Sequence, residues 1–171
     1  MNALYTALLL ALAGMTGASA QQAVRAVLQP ANARRVAPEF ALTDSFGKKA
    51  TLEQYRGKVV LLDFWATWCH GCKEEIPWFV EFSRKYSAQG LTVVGVSLDE
   101  EGWKVVRPFL GSAHIPYSII LGDDATAKKY RIENMPDTFL IDRRGRIAAT
   151  YVGLVDKGDA EKNILAMLAQ P

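Results

Sequence analysis

The chain contains two cysteines, three residues apart, in the segment Trp68-Cys69-His70-Gly71-Cys72-Lys73. They follow an apolar run, Val59–Trp65, that is typical of a buried strand, and they precede a segment with helical periodicity. A thiolate at the start of a helix is stabilised by unpaired backbone N–H groups and by the helix dipole. Cysteines in such settings have pKa values of about 3.5–7.5 instead of about 8.5. The spacing predicts a redox pair, with Cys69 as the attacking thiolate and Cys72 as the resolving thiol.

Other uses of two cysteines fit this sequence less well. A structural zinc site needs four ligands, but His70 lies inside the cysteine loop and His114 is remote, so we expect no metal site. Attachment of c-type haem requires histidine directly after Cys72, where Lys73 stands. A disulfide across so short a loop adds little stability. A Cu(I)-binding module remains an alternative, with Met135 and His114 as the only further ligands. We expect no cofactor.

The overall composition is that of a folded protein with an apolar leader. Of 171 residues, 50% are hydrophobic and 22% charged, which excludes disordered and fibrous classes. The net charge of +2 gives no electrostatic footprint for nucleic acid. Residues 1–24 carry no charged side chain, and 14 of the first 20 are hydrophobic.

The leader predicts export. An apolar run over residues 4–13 and a small-x-small site at residues 18–20 are typical of a signal peptide, residues 1–20, and of a periplasmic or other extracytoplasmic protein. An uncleaved membrane anchor is the alternative. Residues 21–37 contain Pro30 and three arginines with little periodicity, which indicates a linker before a domain over residues 38–171.

Strand and helix patterns alternate along that domain, which predicts an α/β fold with a mixed sheet and helices on both faces. Two short strands around a turn at residues 44–47 predict an N-terminal β-hairpin. Further strands are predicted at 59–65, 91–98, 118–121, 138–141 and 147–152. Helices are predicted at 70–88, from Glu100 with Asp99 as its cap, at 125–130 and at 157–169.

Three segments resemble thioredoxin-fold proteins, and most closely the exported TlpA/ResA-type thiol–disulfide oxidoreductases. They are residues 62–77 around the cysteines, residues 37–40, and residues 134–141 with Met135-Pro136-Asp137. The likeness extends over about residues 36–168, nearly the whole predicted mature chain. It implies a thioredoxin-like fold and thiol–disulfide exchange with protein substrates.

The resemblance also implies a substrate-binding surface. Pro136 corresponds to a cis-proline that faces the cysteine pair, although only about 5–6% of X–Pro bonds are cis in general. The backbone of Met135 is expected to pair with a bound substrate chain. Trp68 is expected to shield the cysteines and contact partners, or else only to pack against its neighbours.

Two acids take catalytic roles by the same resemblance. Glu75 lies three residues after Cys72, on the same helix face, and is expected to accept its proton; the alternative is that Glu74 and Glu75 only favour the helix N-terminus. Asp63 interrupts a buried strand, where it is expected to shuttle protons with a raised pKa.

The residues between the cysteines are expected to tune the redox potential. His70, if protonated, stabilises a thiolate at Cys69, whereas the alternative is a solvent-facing residue with little effect. Gly71 loosens the helix start. Many relatives carry proline before the second cysteine, where this chain has Gly71.

These observations together predict an exported, monomeric protein that reduces disulfide-containing proteins. The family resemblance implies cytochrome c maturation, and an oxidising compartment requires a membrane thiol-electron donor. One alternative is a disulfide oxidant or isomerase, which would use the same residues. Another is a peroxiredoxin-like peroxidase, but its Pro-x-x-x-Thr-x-x-Cys arrangement is not matched, because Thr67 lies only two residues before Cys69.

Overall fold

The computed structural model describes residues 22–171, so the predicted signal peptide lies outside the described residues. Within that range, the chain forms eight strands and four α-helices. Their order is β1 (Arg35–Val36), β2 (Ala41–Asp44), β3 (Lys49–Thr51), β4 (Val59–Trp65), α1 (His70–Tyr86), β5 (Leu91–Ser97), α2 (Trp103–Ala113), β6 (Ser118–Leu121), α3 (Asp124–Tyr130), β7 (Asp137–Ile141), β8 (Arg146–Val152) and α4 (Lys157–Leu168).

All eight strands form one mixed sheet in the order β1-β8-β7-β4-β5-β6-β2-β3. β4 pairs in parallel with β5, and β5 with β6, whereas the other neighbours are antiparallel. Every residue of β4 is buried, as expected of a central strand covered on both faces. The predicted α/β fold with its N-terminal hairpin, β2–β3, is confirmed.

Helices cover both faces of the sheet. On one face, α1 and α4 bury side chains such as Phe79, Phe82 and Ile164 against β4, β5 and β7. On the other face, Tyr130 of α3 packs on Phe64, with ring centroids 4.9 Å apart, inside a second cluster that includes the hairpin. The strand alternation of side chains therefore divides the core into two layers, and the cysteines belong to the α1 side.

The prediction that Asp99 caps a helix beginning at Glu100 is wrong. α2 begins at Trp103, behind Gly102, whose φ of 58° places it in the left-handed region. The Asp99 carboxylate is not free to cap a helix, because it accepts hydrogen bonds from Thr67 on the neighbouring turn.

The stretch predicted as a linker, residues 21–37, is bound to the domain over its described part. The Val24 amide donates to the Leu154 carbonyl at 2.7 Å, and β1 pairs with β8. Arg34 forms a buried ion pair with Asp142 at 3.2 Å. Among the helices of residues 22–171, none combines the length and the apolar character needed to cross a bilayer.

Candidate active site

The cysteine pair lies where β4 gives way to α1. The chain turns after Trp65, and the Cys69 amide closes the turn by donating to the Ala66 carbonyl at 3.1 Å. Cys69 is the N-cap residue of α1, and its Sγ accepts the Cys72 amide at 3.2 Å. The two cysteines are joined by a disulfide. When that bond opens, the same amide and the helix dipole face the Cys69 sulfur and stabilise its thiolate.

Both cysteines are shielded, but not equally. Cys69 is 5% exposed and Cys72 is 1% exposed. Trp68, directly before the pair in sequence, is 68% exposed, so its side chain lies largely in solvent. Cys69 is therefore the more accessible of the two cysteines.

The segment with the predicted substrate-binding residues Met135 and Pro136 lies against the cysteine cluster. The peptide bond between Met135 and Pro136 is cis, as the motif at residues 134–141 predicts. Pro136 is buried, and Met135 packs against the cluster that contains Cys69 and Cys72. The structure therefore brings the two distant segments named by the sequence to one place.

Two buried acids lie behind the pair, on the α1 side of the sheet. Burial raises the pKa of Asp63 above its usual range, and a hydrogen bond from the Thr138 hydroxyl at 3.5 Å acts in the opposite direction. Burial also raises the pKa of Glu75, and the nearby charge of Asp63 raises it further. Each carboxyl group therefore holds its proton at pH values where an exposed acid is ionised.

Glu75 is bonded through only one of its oxygen atoms. Oε1 accepts the Val155 amide at 3.0 Å, whereas Oε2 is buried without a hydrogen-bond partner among the described residues. Val155 lies between Leu154 and Asp156, both of which form backbone hydrogen bonds to Val24. The N-terminal segment thus holds the loop whose Val155 amide is, among residues 22–171, the one hydrogen-bond donor to the Glu75 carboxyl group.

Sequence reasoning assigned no role to Asp137, which the structure places beside the site. Burial raises its pKa to about 6, and its Oδ1 finds no hydrogen-bond partner in residues 22–171. Asp137 pairs with Phe64 across β7 and β4, and its charge raises the pKa of Asp63. An acid directly after Pro136, at the start of a buried strand, is the sequence signal that could have identified it.

The two residues between the cysteines differ in exposure. His70 is exposed, and its Nε2 lies 3.3 Å from Oε1 of Glu74, one turn along α1. Gly71 is buried in the first turn of the helix. Glu74 remains at the surface, so Glu75 alone of the two neighbouring acids is placed in the interior. Across residues 22–171, no three histidine, cysteine or acidic side chains are grouped so that they could hold a metal ion.

The sequence matches the AhpC/TSA family over residues 33–150. It is 34% identical to the thiol–disulfide oxidoreductase ResA of Geobacillus kaustophilus over 129 residues, 75% of this chain and 74% of that protein. The chain belongs to the AhpC/TSA family. It is 31% identical to the thioredoxin-like protein YneN of Bacillus subtilis over 159 residues, 92% of this chain and 93% of that protein.

A solved structure shares the fold. A putative thiol:disulfide interchange protein DsbE from Chlorobium tepidum is 36% identical and superposes with a TM-score of 0.76, covering 80% of this chain and 97% of that one. This protein is thus a ResA-like thiol–disulfide oxidoreductase of the thioredoxin fold.

Proposed function

We propose that this oxidoreductase works as an extracytoplasmic reductase of protein disulfides, and that an apoprotein in cytochrome c maturation is a substrate. The observation that carries the proposal is the unequal placement of the two sulfur atoms. Cys69 sits at the N-cap of α1 beside the exposed Trp68, and Cys72 lies deeper in the interior that also holds Glu75. That order suits a surface nucleophile with a resolving thiol behind it.

The first step is attack by the Cys69 thiolate on a substrate disulfide. A new S–S bond forms between Cys69 and one substrate sulfur, and the other substrate sulfur leaves as a thiolate that takes a proton from water. The exposed Trp68 and the backbone of Met135 position the substrate chain at the cis-Pro136 edge. Holding the reacting sulfurs in line is what these contacts supply.

The second step releases the product. In the reduced protein, Glu75 has given up its proton during regeneration, so its carboxylate takes the proton of Cys72 as Cys72 attacks the Cys69 sulfur. The mixed disulfide breaks, and the second substrate sulfur leaves as a thiolate that takes a proton from water. The substrate disulfide has then gained two electrons, and the Cys69–Cys72 pair has lost them. Asp63, whose pKa is also raised by burial, relays this proton between Glu75 and water.

Regeneration runs the same chemistry backwards. A thiolate of a membrane thiol-electron donor attacks Cys69 and forms a mixed disulfide with it, and the protonated Glu75 supplies a proton to the Cys72 sulfur as it leaves. A second thiol of the donor then attacks the mixed disulfide and frees Cys69. The raised pKa of Glu75 favours this step because the oxidised protein keeps the proton in place. The apolar leader at residues 1–20 delivers the domain to the compartment in which such donors work.

A trapping experiment tests these roles. Purified Cys72→Ser protein, mixed with an oxidised Cys-x-x-Cys-His peptide, is expected to accumulate a peptide adduct at Cys69 by mass spectrometry. The matched Cys69→Ser protein should form none. Adduct formation by Cys69→Ser but not by Cys72→Ser would reverse the assignment. A reduced wild-type protein that leaves the peptide disulfide intact would refute the reductase function itself.

A further inference from the structure

The turn that presents Cys69 is held by a carboxylate from another strand. Asp99 lies just beyond the end of β5 and is only 6% exposed. Its Oδ1 and Oδ2 accept the Thr67 amide at 3.1 and 3.0 Å, and Oδ1 accepts the Thr67 hydroxyl at 2.6 Å. Thr67 occupies the middle of the turn between Ala66 and Cys69, two residues before the nucleophile.

The carboxylate is itself fixed from its own strand. The Ser97 hydroxyl donates to Oδ2 of Asp99 at 2.9 Å, and the Asp99 amide donates back to that hydroxyl at 3.2 Å. The Leu98 amide donates to the Trp65 carbonyl at 2.9 Å, which joins the ends of β5 and β4 just below the turn. A buried carboxylate is tolerated where its oxygen atoms are hydrogen-bonded, and here the turn supplies those donors.

The side chain directly before Cys69 does not anchor the turn in the way that Asp99 does. Trp68 is 68% exposed, so its packing contributes little to the position of the turn. The position of Cys69 relative to the first amides of α1 therefore depends on the backbone turn and on what anchors it.

The geometry points to Asp99 as a positioning residue for Cys69: the Asp99–Thr67 clamp holds the turn so that the Cys69 sulfur meets both the α1 amides and the incoming disulfide. Asp99 does not touch the reacting sulfurs and acts through Thr67. The inference rests on the proposed role of Cys69 as the attacking thiol. It adds a residue on the β5 side of the site to the acids of β4, β7 and α1.

The test measures the rate of mixed-disulfide formation in the Cys72→Ser background, with the same oxidised peptide. Asp99→Ala is expected to slow the reaction about 10–100-fold, the scale on which misplacement of a reacting group by about 1 Å acts. Asp99→Asn should recover much of the rate, because the amide oxygen can still accept the Thr67 N–H. Glu100→Gln removes a charge from the adjacent exposed position and should leave the rate unchanged.

A second pair of variants keeps the carboxylate in place. Thr67→Val removes only the hydroxyl and should slow trapping, whereas Thr67→Ser retains the hydroxyl and should react like the unaltered protein. In Asp99→Ala, the pH profile of Cys69 alkylation should also move to higher pH, because a displaced sulfur loses the helix amides. Circular dichroism at the assay temperature confirms that each variant is folded, and the Thr67 pair replaces Asp99→Ala if that variant does not fold.

The outcomes separate the two hypotheses. If the Cys72→Ser protein forms no adduct while Asp99 is unaltered, the assignment of Cys69 fails. If the adduct forms, and the folded Asp99→Ala and Thr67→Val proteins react within two-fold of Glu100→Gln with an unmoved alkylation profile, the positioning role is overturned.

Discussion

Replacing Asp63 with asparagine is expected to halve the pH dependence of the stability of the oxidised protein near neutrality. Asp63 and Glu75 both have pKa values raised by burial, so each holds a proton in the native state that it releases in the unfolded chain. The native protein therefore binds more protons than the unfolded chain, and the free energy of unfolding falls as the pH rises. The stabilisation that these two protons contribute is fully present below the pKa values of the two acids in the unfolded chain. It is lost as the pH rises towards their pKa values in the native protein.

The magnitude follows from the number of retained protons. Each one contributes a slope of about −1.4 kcal/mol per pH unit, so two acids give about −2.7 kcal/mol per pH unit and one gives about half of that. The interval from pH 6.5 to 7.5 isolates them. Asp137, with a pKa of about 6, has mostly titrated below this interval, and the acids whose pKa values are lowered, such as Asp142, are ionised in both states. The disulfide keeps both cysteines from titrating.

Urea unfolding of the oxidised protein, followed by tryptophan fluorescence at several pH values in this interval, gives the slope directly. Asp63→Asn should reduce it to about −1.4 kcal/mol per pH unit and make the protein more stable than the wild type at pH 7.5. Glu74→Gln, which alters an exposed acid beside Glu75, should keep the wild-type slope. A wild-type stability that does not change with pH over this interval would refute the reasoning, as would an unchanged slope in Asp63→Asn.

Three further substitutions test other parts of the site and fold. Glu75→Gln should slow release from the mixed disulfide about 100-fold or more, because an amide cannot accept the Cys72 proton, whereas the first attack should keep its rate. Stopped-flow fluorescence resolves the two phases, and equal slowing of both would contradict this role. Trp68→Ala should raise KM for reduction of insulin but leave the reaction with a small aromatic disulfide unchanged, whereas an equal loss with both substrates would show that the indole acts on the cysteines instead. Arg34→Ala should lower the free energy of unfolding by about 1–3 kcal/mol, since the buried Asp142 loses one of its two arginine partners. Urea unfolding measures this change, and an unchanged midpoint would show that the ion pair contributes nothing to stability.

The fold could be predicted where local pattern decides it. The continuous apolar run of β4 is a buried strand, and α1 follows it with its N-cap at the first cysteine. The start of α2 could not be predicted in the same way. Asp99 reads locally as a helix cap, yet its partner Thr67 lies 32 residues earlier, on a different strand end. Only the parallel pairing of β4 and β5 brings the two together.

The placement of the candidate site residues divides along the same line. The disulfide of the cysteines, the position of Glu75 behind them and the cis bond at Pro136 were predictable, because each stands at a fixed offset within a short motif. Asp137 was not, since its effect depends on burial between strands that are distant in sequence. The contacts of residues 22–36 were also missed. That segment binds through backbone hydrogen bonds and through Val24, Ala26 and Leu28, which pack against the core. The exposed Ala23 and Val27 next to them are also apolar, so the alternation is not evident in the sequence.

The reduction potential of the Cys69–Cys72 pair tests the central claim most directly. Equilibration of the purified protein with glutathione buffers, followed by alkylation and mass spectrometry, gives the value. A reductase of protein disulfides is expected to have a reduction potential of about −270 mV, as thioredoxin does. A value of about −120 mV, typical of a strong disulfide oxidant, would contradict the proposed direction of electron flow.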